Sequence, residues 1–259
     1  MNVALCGLGK AGLQIIRYVM THPDLHVTMA FCRDGGKKAD KTISDVVPFK
    51  GLTSPIYEIG QAAETFCRGE KPQVVIDFSN KEATLKMLPA CARHGVNMVI
   101  CTTNFSDGEL ALIKKTALCH AGFAVAYAPN ITVGVNVLMM LCEQTAAALP
   151  AFDYAITEKH HNRKADVSAT ANKIAAVLEE KTGRPVQVNS IRAGGYVGLH
   201  EVLVVGDYER ITLIHESFSR QAFAHGAFIA ARYLEGREGY FEMRDIVAHH
   251  LRRPERPDV

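Results

Sequence analysis

The apolar run Val3–Cys6 leads directly into Gly7-x-Gly9-x-x-Gly12, and residues 11–20 then place Leu13, Ile16, Tyr18, Val19 and Met20 at near-helical intervals. A strand, a glycine turn and a helix in that order leave few ways to fold. Glycine is needed for the tight turn, for close approach of a phosphate to the backbone, and for packing the helix against the strand. The helix start then faces the phosphate with its free N–H groups. Gly7, Leu8, Gly9, Lys10, Ala11 and Gly12 are therefore predicted to form a dinucleotide-binding loop; a glycine turn without ligand is the alternative.

The alternation continues. His26–Phe31 and Val74–Phe78 read as strands, and Ser79 is expected to cap a helix ending near Gly95. Asn97–Cys101 is a further strand, Ser106-Asp-Gly-Glu109 a capping box, and Phe123–Ala128 the last strand of the series. Strand and helix in turn predict a Rossmann-like parallel sheet over residues 1–129. After Pro129 the pattern changes. Thr132–Leu149 reads as a helix, Tyr154–Thr157 as a strand and Ser168–Lys181 as a helix. Strands follow at Val186–Ile191, Glu201–Val205 and Ile211–His215, the last two forming a hairpin about Gly206–Arg210, before a helix over 219–235. The fold class is therefore α/β, with residues 130–235 forming an α+β domain on an open, mixed, mostly antiparallel sheet. The tail from Arg252 is expected to fray.

Composition narrows the function. A net charge of +2 over 259 residues gives no global attraction to nucleic acid or membrane, so an anion must be held by a local cluster. No apolar run reaches the ~18 residues of a membrane span. The Met-Asn-Val-Ala-Leu start lacks a signal-peptide pattern. Seven cysteines, none spaced Cys-x-x-Cys, read as reduced thiols, and a cytoplasmic location is expected. There is no His-Glu-x-x-His, and adjacent histidines on a strand diverge, so no metal site is expected.

Two segments carry charge where chemistry needs it. About twenty residues past Gly12, where an acid would bind ribose hydroxyls and select NAD, the chain has Cys32-Arg33, followed by Lys37 and Lys38. A guanidinium there suits a 2′-phosphate, which favours NADPH; the adjacent Asp34 leaves NADH open. Residues 158–164 read Glu-Lys-His-His-Asn-Arg-Lys and precede the helix that opens at Ser168-Ala169-Thr170. Cations beside free helix N–H groups make a receptor for a small anionic substrate. A solvated basic loop is the alternative.

In order, these motifs resemble the 4-hydroxy-tetrahydrodipicolinate reductase family of lysine and diaminopimelate biosynthesis, over nearly the whole chain. After the glycine loop come Val75-Ile-Asp77-Phe78-Ser79, Thr102-Thr103 and Ala128-Pro-Asn130-Ile-Thr132-Val-Gly134-Val-Asn136. Glu158-x-His160-His161-x-x-Lys164-x-Asp166 is the most specific match. Arg192-Ala-Gly194-x-x-x-Gly198-x-His200 and Ser219-Arg220-x-x-Phe223 complete the set.

The resemblance implies that residues 236–259 complete the cofactor domain. Phe78, Ser79, Thr102, Thr103, Ala128 and Asn130 would join the glycine loop and Arg33 around the dinucleotide. It also implies His160 as proton donor, Lys164 as the group that polarises the substrate, and His161 with the amides of Ala169 and Thr170 as carboxylate holders. The substrate would be a cyclic unsaturated dicarboxylate and the assembly a homotetramer. The chain departs from the family pattern in several places: the Asp166–Ala171 stretch is one residue shorter, and the Gly-rich loop before Val186 is reduced to Lys181-Thr-Gly-Arg-Pro. Cys101 and Asn104 stand where the family has glycines around Thr-Thr, and Ala169 stands where it has glycine before Thr. They leave open a different cyclic imine or enamine carboxylate as substrate; a non-catalytic NADP-binding regulator is a separate alternative.

Overall fold

A computed structural model describes residues 1–68 and 71–252. The chain divides into two compact units, residues 1–131 with 223 onward, and residues 132–222.

The first unit is built on a seven-stranded sheet. Its strands are β1 (Asn2–Cys6), β2 (His26–Cys32), β3 (Ile56–Glu58), β4 (Val74–Asp77), β5 (Asn97–Ile100), β6 (Ala124–Tyr127) and β11 (Gly239–Glu242). They lie in the order β11-β6-β5-β4-β1-β2-β3, and every neighbouring pair is parallel. The inner strands β1, β4, β5 and β6 are buried almost without alternation, as strands covered by helices on both faces must be. Each wholly buried aliphatic side chain there, such as Ile76 or Val99, contributes about 1.5–3 kcal/mol. The strand order reverses between β1 and β4, so the turns that leave these two strands flank a crevice.

The helices of this unit are α1 (Gly12–Val19), α2 (Ile43–Val46), α3 (Ala62–Arg68), α4 (Lys81–His94), α5 (Asp107–Cys119), α8 (Gln221–Tyr233) and α9 (Met243–Arg252). The expected cap of α4 shifts by one residue. Asn80, not Ser79, accepts the Ala83 N–H at 2.9 Å, because Ser79 is turned back onto Asp77. The Ser106 capping box of α5 forms as expected.

The second unit holds α6 (Val133–Ala148), β7 (Asp153–His160), α7 (Ala169–Thr182), β8 (Gln187–Arg192), β9 (Gly198–Val205) and β10 (Arg210–Ser217). Its sheet runs β10-β9-β7-β8, antiparallel except for the β7–β8 pair. Side chains alternate across this sheet. Tyr154, Ile156, Val202, Val204 and Val188 pack under α6 and α7 around Leu138, Cys142, Ile174 and Leu178. Further along the same face the rows turn polar: Ser190, Glu158, His200 and His215 lie side by side, then Arg192 beside His160.

Two expectations change. The helix over 219–235, expected in the middle domain, falls from Phe223 onward in the first unit. Its Gly226 explains why: a Cβ there would meet the Ile131 carbonyl oxygen at 1.9 Å, so the helix lies against the end of the first segment. The elements α2, β3, α3, β11 and α9 are additional to those read from the pattern. The expected frayed tail lies, beyond the backbone of Arg252, outside the described residues.

Candidate active site

The glycine loop follows β1 at the crevice. Gly7 has φ +96°, and a Cβ on it would meet the Phe78 carbonyl oxygen at 2.8 Å; a Cβ on Gly12 would lie 2.1 Å from the Gly7 carbonyl oxygen. The fold itself therefore demands glycine at both positions. Gly9 is different: nothing lies within 4 Å of its Cβ direction. Glycine there keeps open space, which suits a ligand that must approach the backbone.

That space is part of a cavity of about 370 Å³ lined by Gly7, Leu8, Gly9, Cys32, Arg33, Lys37, Lys38 and Ser79, among others. Lys38 donates to the Leu8 carbonyl at 3.1 Å and so closes one side. Asp34 turns away. Its carboxylate accepts the Gly60 N–H at 2.8 Å and is paired with Lys86, whose hydrogen bond holds the Asp34 pKa below its usual value. The cationic end of the cavity is thus left to Arg33, Lys37 and Lys38.

A second cavity, of about 390 Å³, is lined by Phe78, Ser79, Asn80, Lys81, Glu82, Cys101, Thr102, Thr103 and Asn104. Asp77, wholly buried, holds the lining residue Ser79 by accepting from its N–H (2.9 Å) and hydroxyl (2.5 Å), and also accepts from the Thr84 hydroxyl (2.5 Å). Burial raises the Asp77 pKa, against the lowering effect of these bonds. Among the described residues the buried Thr102 hydroxyl has no hydrogen-bond partner, a donor and acceptor in want of one. Asn104 adopts φ +68°, so it takes the left-handed backbone that a glycine would accept more readily. Lys10, Ala11, Gly12, Ala128 and Asn130 line neither cavity; Lys10, Ala11 and Gly12 lead into α1, and Ala128 follows β6 with its N–H on the Ile100 carbonyl at 2.8 Å.

The second unit gathers the cationic segment at the polar end of its sheet. His160 closes β7, and its Nδ1 lies 2.5 Å from Glu158 Oε2. A Cβ on Gly198 would sit 3.2 Å from His160 Nε2, so glycine there makes room for the imidazole. His161 gives its N–H to the Tyr196 carbonyl (2.9 Å) and accepts from the Lys164 N–H (3.1 Å), which folds residues 161–164 into a turn. The His161 Nδ1 is buried without a partner among the described residues. Ser168 caps α7, so the amides of Ala169 and Thr170 open that helix beside the turn, with Ala169 exposed.

Glu158 is the hub. It is wholly buried and accepts from Arg192 (2.8 and 2.6 Å), Ser190 (2.6 Å), His160 (2.5 Å) and the Ser168 N–H (3.2 Å). Burial would raise its pKa, but the hydrogen bonds from Arg192, then Ser190, His160 and Ser168, outweigh it and hold the carboxyl at about 2. His160 is shifted down, by burial first and by the positive charges of Lys164 and Arg192, with Glu158 opposing. His200, beside Ser168 Oγ at 3.0 Å, is pushed down to about 4 by burial and by the neighbouring His160 and His215.

The structure thus brings His160, His161, Lys164, Ala169 and Thr170 to one end of one sheet, and Gly7, Leu8, Gly9, Arg33, Phe78, Ser79, Thr102 and Thr103 to two cavities of the other unit. Sequence reasoning gave no role to Glu158, Arg192, Ser190 or His200. Strand periodicity held a signal for one of them: an acid two residues before His160 on a strand shares its face.

The comparisons agree along the chain. The family model for the dihydrodipicolinate reductase N-terminus matches residues 1–131, and that for its C-terminus matches residues 134–247. A 4-hydroxy-tetrahydrodipicolinate reductase from Methanopyrus kandleri is 34% identical over 95% of this chain and 95% of its own. One from Methanococcoides burtonii is 34% identical over 95% of this chain and 99% of its own. Among solved structures, dipicolinate-bound dihydrodipicolinate reductase from Paenisporosarcina sp. TG-14 shares the fold with a TM-score of 0.77 at 24% identity, covering 93% of this chain and 97% of that one. On two family models that together span almost its full length, and on relatives a third identical along it, the chain belongs to the dihydrodipicolinate reductase family.

Proposed function

We propose that this enzyme reduces 4-hydroxy-tetrahydrodipicolinate to tetrahydrodipicolinate, with NADPH as the preferred hydride source. Family membership carries the reaction class, an NAD(P)H-dependent reduction. One observation carries the chemistry at residue level: a histidine bonded through Nδ1 to an ionised carboxylate stands beside a lysine turn and a helix start.

Reducing a conjugated C=N or C=C needs a hydride and a proton. The bound dinucleotide supplies the hydride. The Gly9 space, the cationic cavity end and the unpartnered Thr102 hydroxyl fit such a group, with Gly7–Gly12 receiving the pyrophosphate, Arg33 the 2′-phosphate and Phe78, Ser79, Thr102 and Thr103 the far end. Asp34, engaged by Lys86 and Gly60, does not line the cavity that Arg33 lines, which supports NADPH over NADH.

His160 delivers the proton from Nε2. Its pKa is low without substrate, but two substrate carboxylates place negative charge nearby and favour the imidazolium. Lys164 stabilises charge as it develops on the reacting nitrogen, and His161 with the Ala169 and Thr170 amides receives a carboxylate. The open face of the second sheet, with exposed Ile191, Val205 and Ile214, is the surface through which four copies assemble in this reading.

The test is oxidation of NADPH by the full chain, fed the condensation product of pyruvate and aspartate semialdehyde. Brisk turnover is expected. Tight NADPH binding with no turnover would move the enzyme to a different cyclic imine or enamine carboxylate, a reading that the Ala169 methyl at the helix start favours.

A further inference from the structure

Carboxylates have about four lone-pair sites, and Glu158 receives five donors. Such a group is locked as an anion and has no capacity left for a proton from His160. A buried ion pair of this kind is a poor source of stability, because desolvating both partners offsets their attraction. Its geometry says more. Arg192, from β8, binds both Glu158 oxygens and also donates to the Lys164 carbonyl (3.0 Å) and the Asp166 carbonyl (2.8 Å). Glu158 in turn reaches His160 on its own strand and the Ser168 N–H at the start of α7. One ion pair therefore ties the histidine, the lysine turn and the helix start together.

We propose that Glu158 and Arg192 are a positioning pair. Glu158 keeps the proton of neutral His160 on Nδ1, so that Nε2 is the nitrogen that carries a proton to and from the reacting centre. Arg192 pins the 161–168 segment, which fixes Lys164 and the α7 start relative to that nitrogen. The pair touches no substrate. The proposal rests on His160 as the proton donor, and it goes beyond that by naming what sets the active tautomer and the loop.

The alternative is a purely structural ion pair, and two readouts separate them. The first uses the wild-type chain without substrate. Long-range proton–nitrogen NMR correlations of the imidazoles, with His160 assigned from the spectrum of His160→Gln, should show the neutral ring with Nδ1 protonated and Nε2 bare. Protonation at Nε2, the form a free neutral imidazole favours, would overturn the proposal whatever the Glu158 and Arg192 variants do. The second is Glu158→Gln. NADPH binding, followed by fluorescence titration, should be retained, and kcat should fall on the order of 10²-fold, the lower end of what a positioned proton donor contributes. The groups facing His160 are Glu158 on β7, Arg192 on β8, His200 on β9 and Lys164 on the turn. Among these protein groups only Glu158 favours the imidazolium, so its loss should move the alkaline limb of the kcat profile to lower pH, the substrate carboxylates being common to both proteins. A folded variant with kcat and limb unchanged would end the idea. Arg192→Lys keeps the charge but not the double span, and should raise KM more than it lowers kcat; an unaltered KM would refute the loop half of the proposal. A wild-type chain silent toward the substrate, yet protonated at Nδ1, would support the pair and count against the reaction.

Discussion

Gly12 faces the carbonyl oxygen of Gly7 so closely that a methyl group on Gly12 would lie 2.1 Å from it, whereas the intervening Gly9 faces nothing within 4 Å. The same motif thus contains two glycines that the fold demands, Gly7 and Gly12, and one, Gly9, that the fold leaves free for a ligand to approach. Gly12→Ala should cost at least about 1–3 kcal/mol, since a backbone carbonyl must move, and should lower Tm. Gly9→Ala should leave Tm unchanged and weaken NADPH binding about tenfold or more. Thermal denaturation and fluorescence titration on both variants check the contrast; equal effects on both quantities would dissolve it.

In the proposed reading, cofactor choice rests on the end of β2. Cys32 and Arg33 line the cationic cavity, while Asp34 is committed to Lys86 and Gly60. Cys32→Glu puts a carboxylate where ribose hydroxyls would bind and where a 2′-phosphate would be repelled. The kcat/KM ratio for NADPH over NADH should drop by about tenfold or more, roughly 1.4 kcal/mol of discrimination. Arg33→Ala should weaken NADPH and spare NADH. If the ratio stays put in both variants, the phosphate lies elsewhere.

Lys164 is in a different compact unit from the glycine loop. Lys164→Ala should therefore lower kcat by about 10²–10³-fold, the range for losing one preorganised electrostatic group, with NADPH affinity unchanged. Steady-state kinetics with a parallel cofactor titration decides it. Wild-type turnover in this variant would remove the lysine turn from the reaction.

Much of this architecture was legible because local and global signals coincide. Val3–Cys6 with the glycines, the Ser106 capping box and the Gly206–Arg210 hairpin each specify themselves within a few residues. The short strand β3 did not, for three residues carry no period, and β11 is defined only by pairing with β6. Asn80 displaced Ser79 as the α4 cap because Asp77, distant in no pattern, claims the serine. At the candidate site, the cations were visible as a cluster. Arg192 was not visible as their clamp, since only the parallel pairing of β7 with β8 brings His160 and Arg192 side by side.

The buried His200 makes a prediction about pH that needs no substrate. Its pKa is about 4 in the folded chain, against about 6.5 when unfolded, with burial the main cause. Above pH 6.5 the ring is neutral in both states and costs nothing. As pH falls from 6.5 toward 4, the unfolded chain binds a proton that the folded chain refuses, so stability drops by about 1.4 kcal/mol per pH unit for this group. Glu158 acts in a lower window. Held at about 2, it stabilises the fold above the ordinary carboxylate range, and that contribution is lost only as pH falls through that range toward 2. His160, His215 and His225 are shifted in the same direction as His200 and add to the wild-type slope. Urea denaturation of wild type and His200→Gln at pH 7, 6 and 5 should show the variant losing less stability on acidification, by about one proton's worth of slope. Parallel lines for the two proteins would mean that His200 takes up its proton as readily in the folded chain as in the unfolded one, and that the polar end of the sheet is wetter than its packing implies.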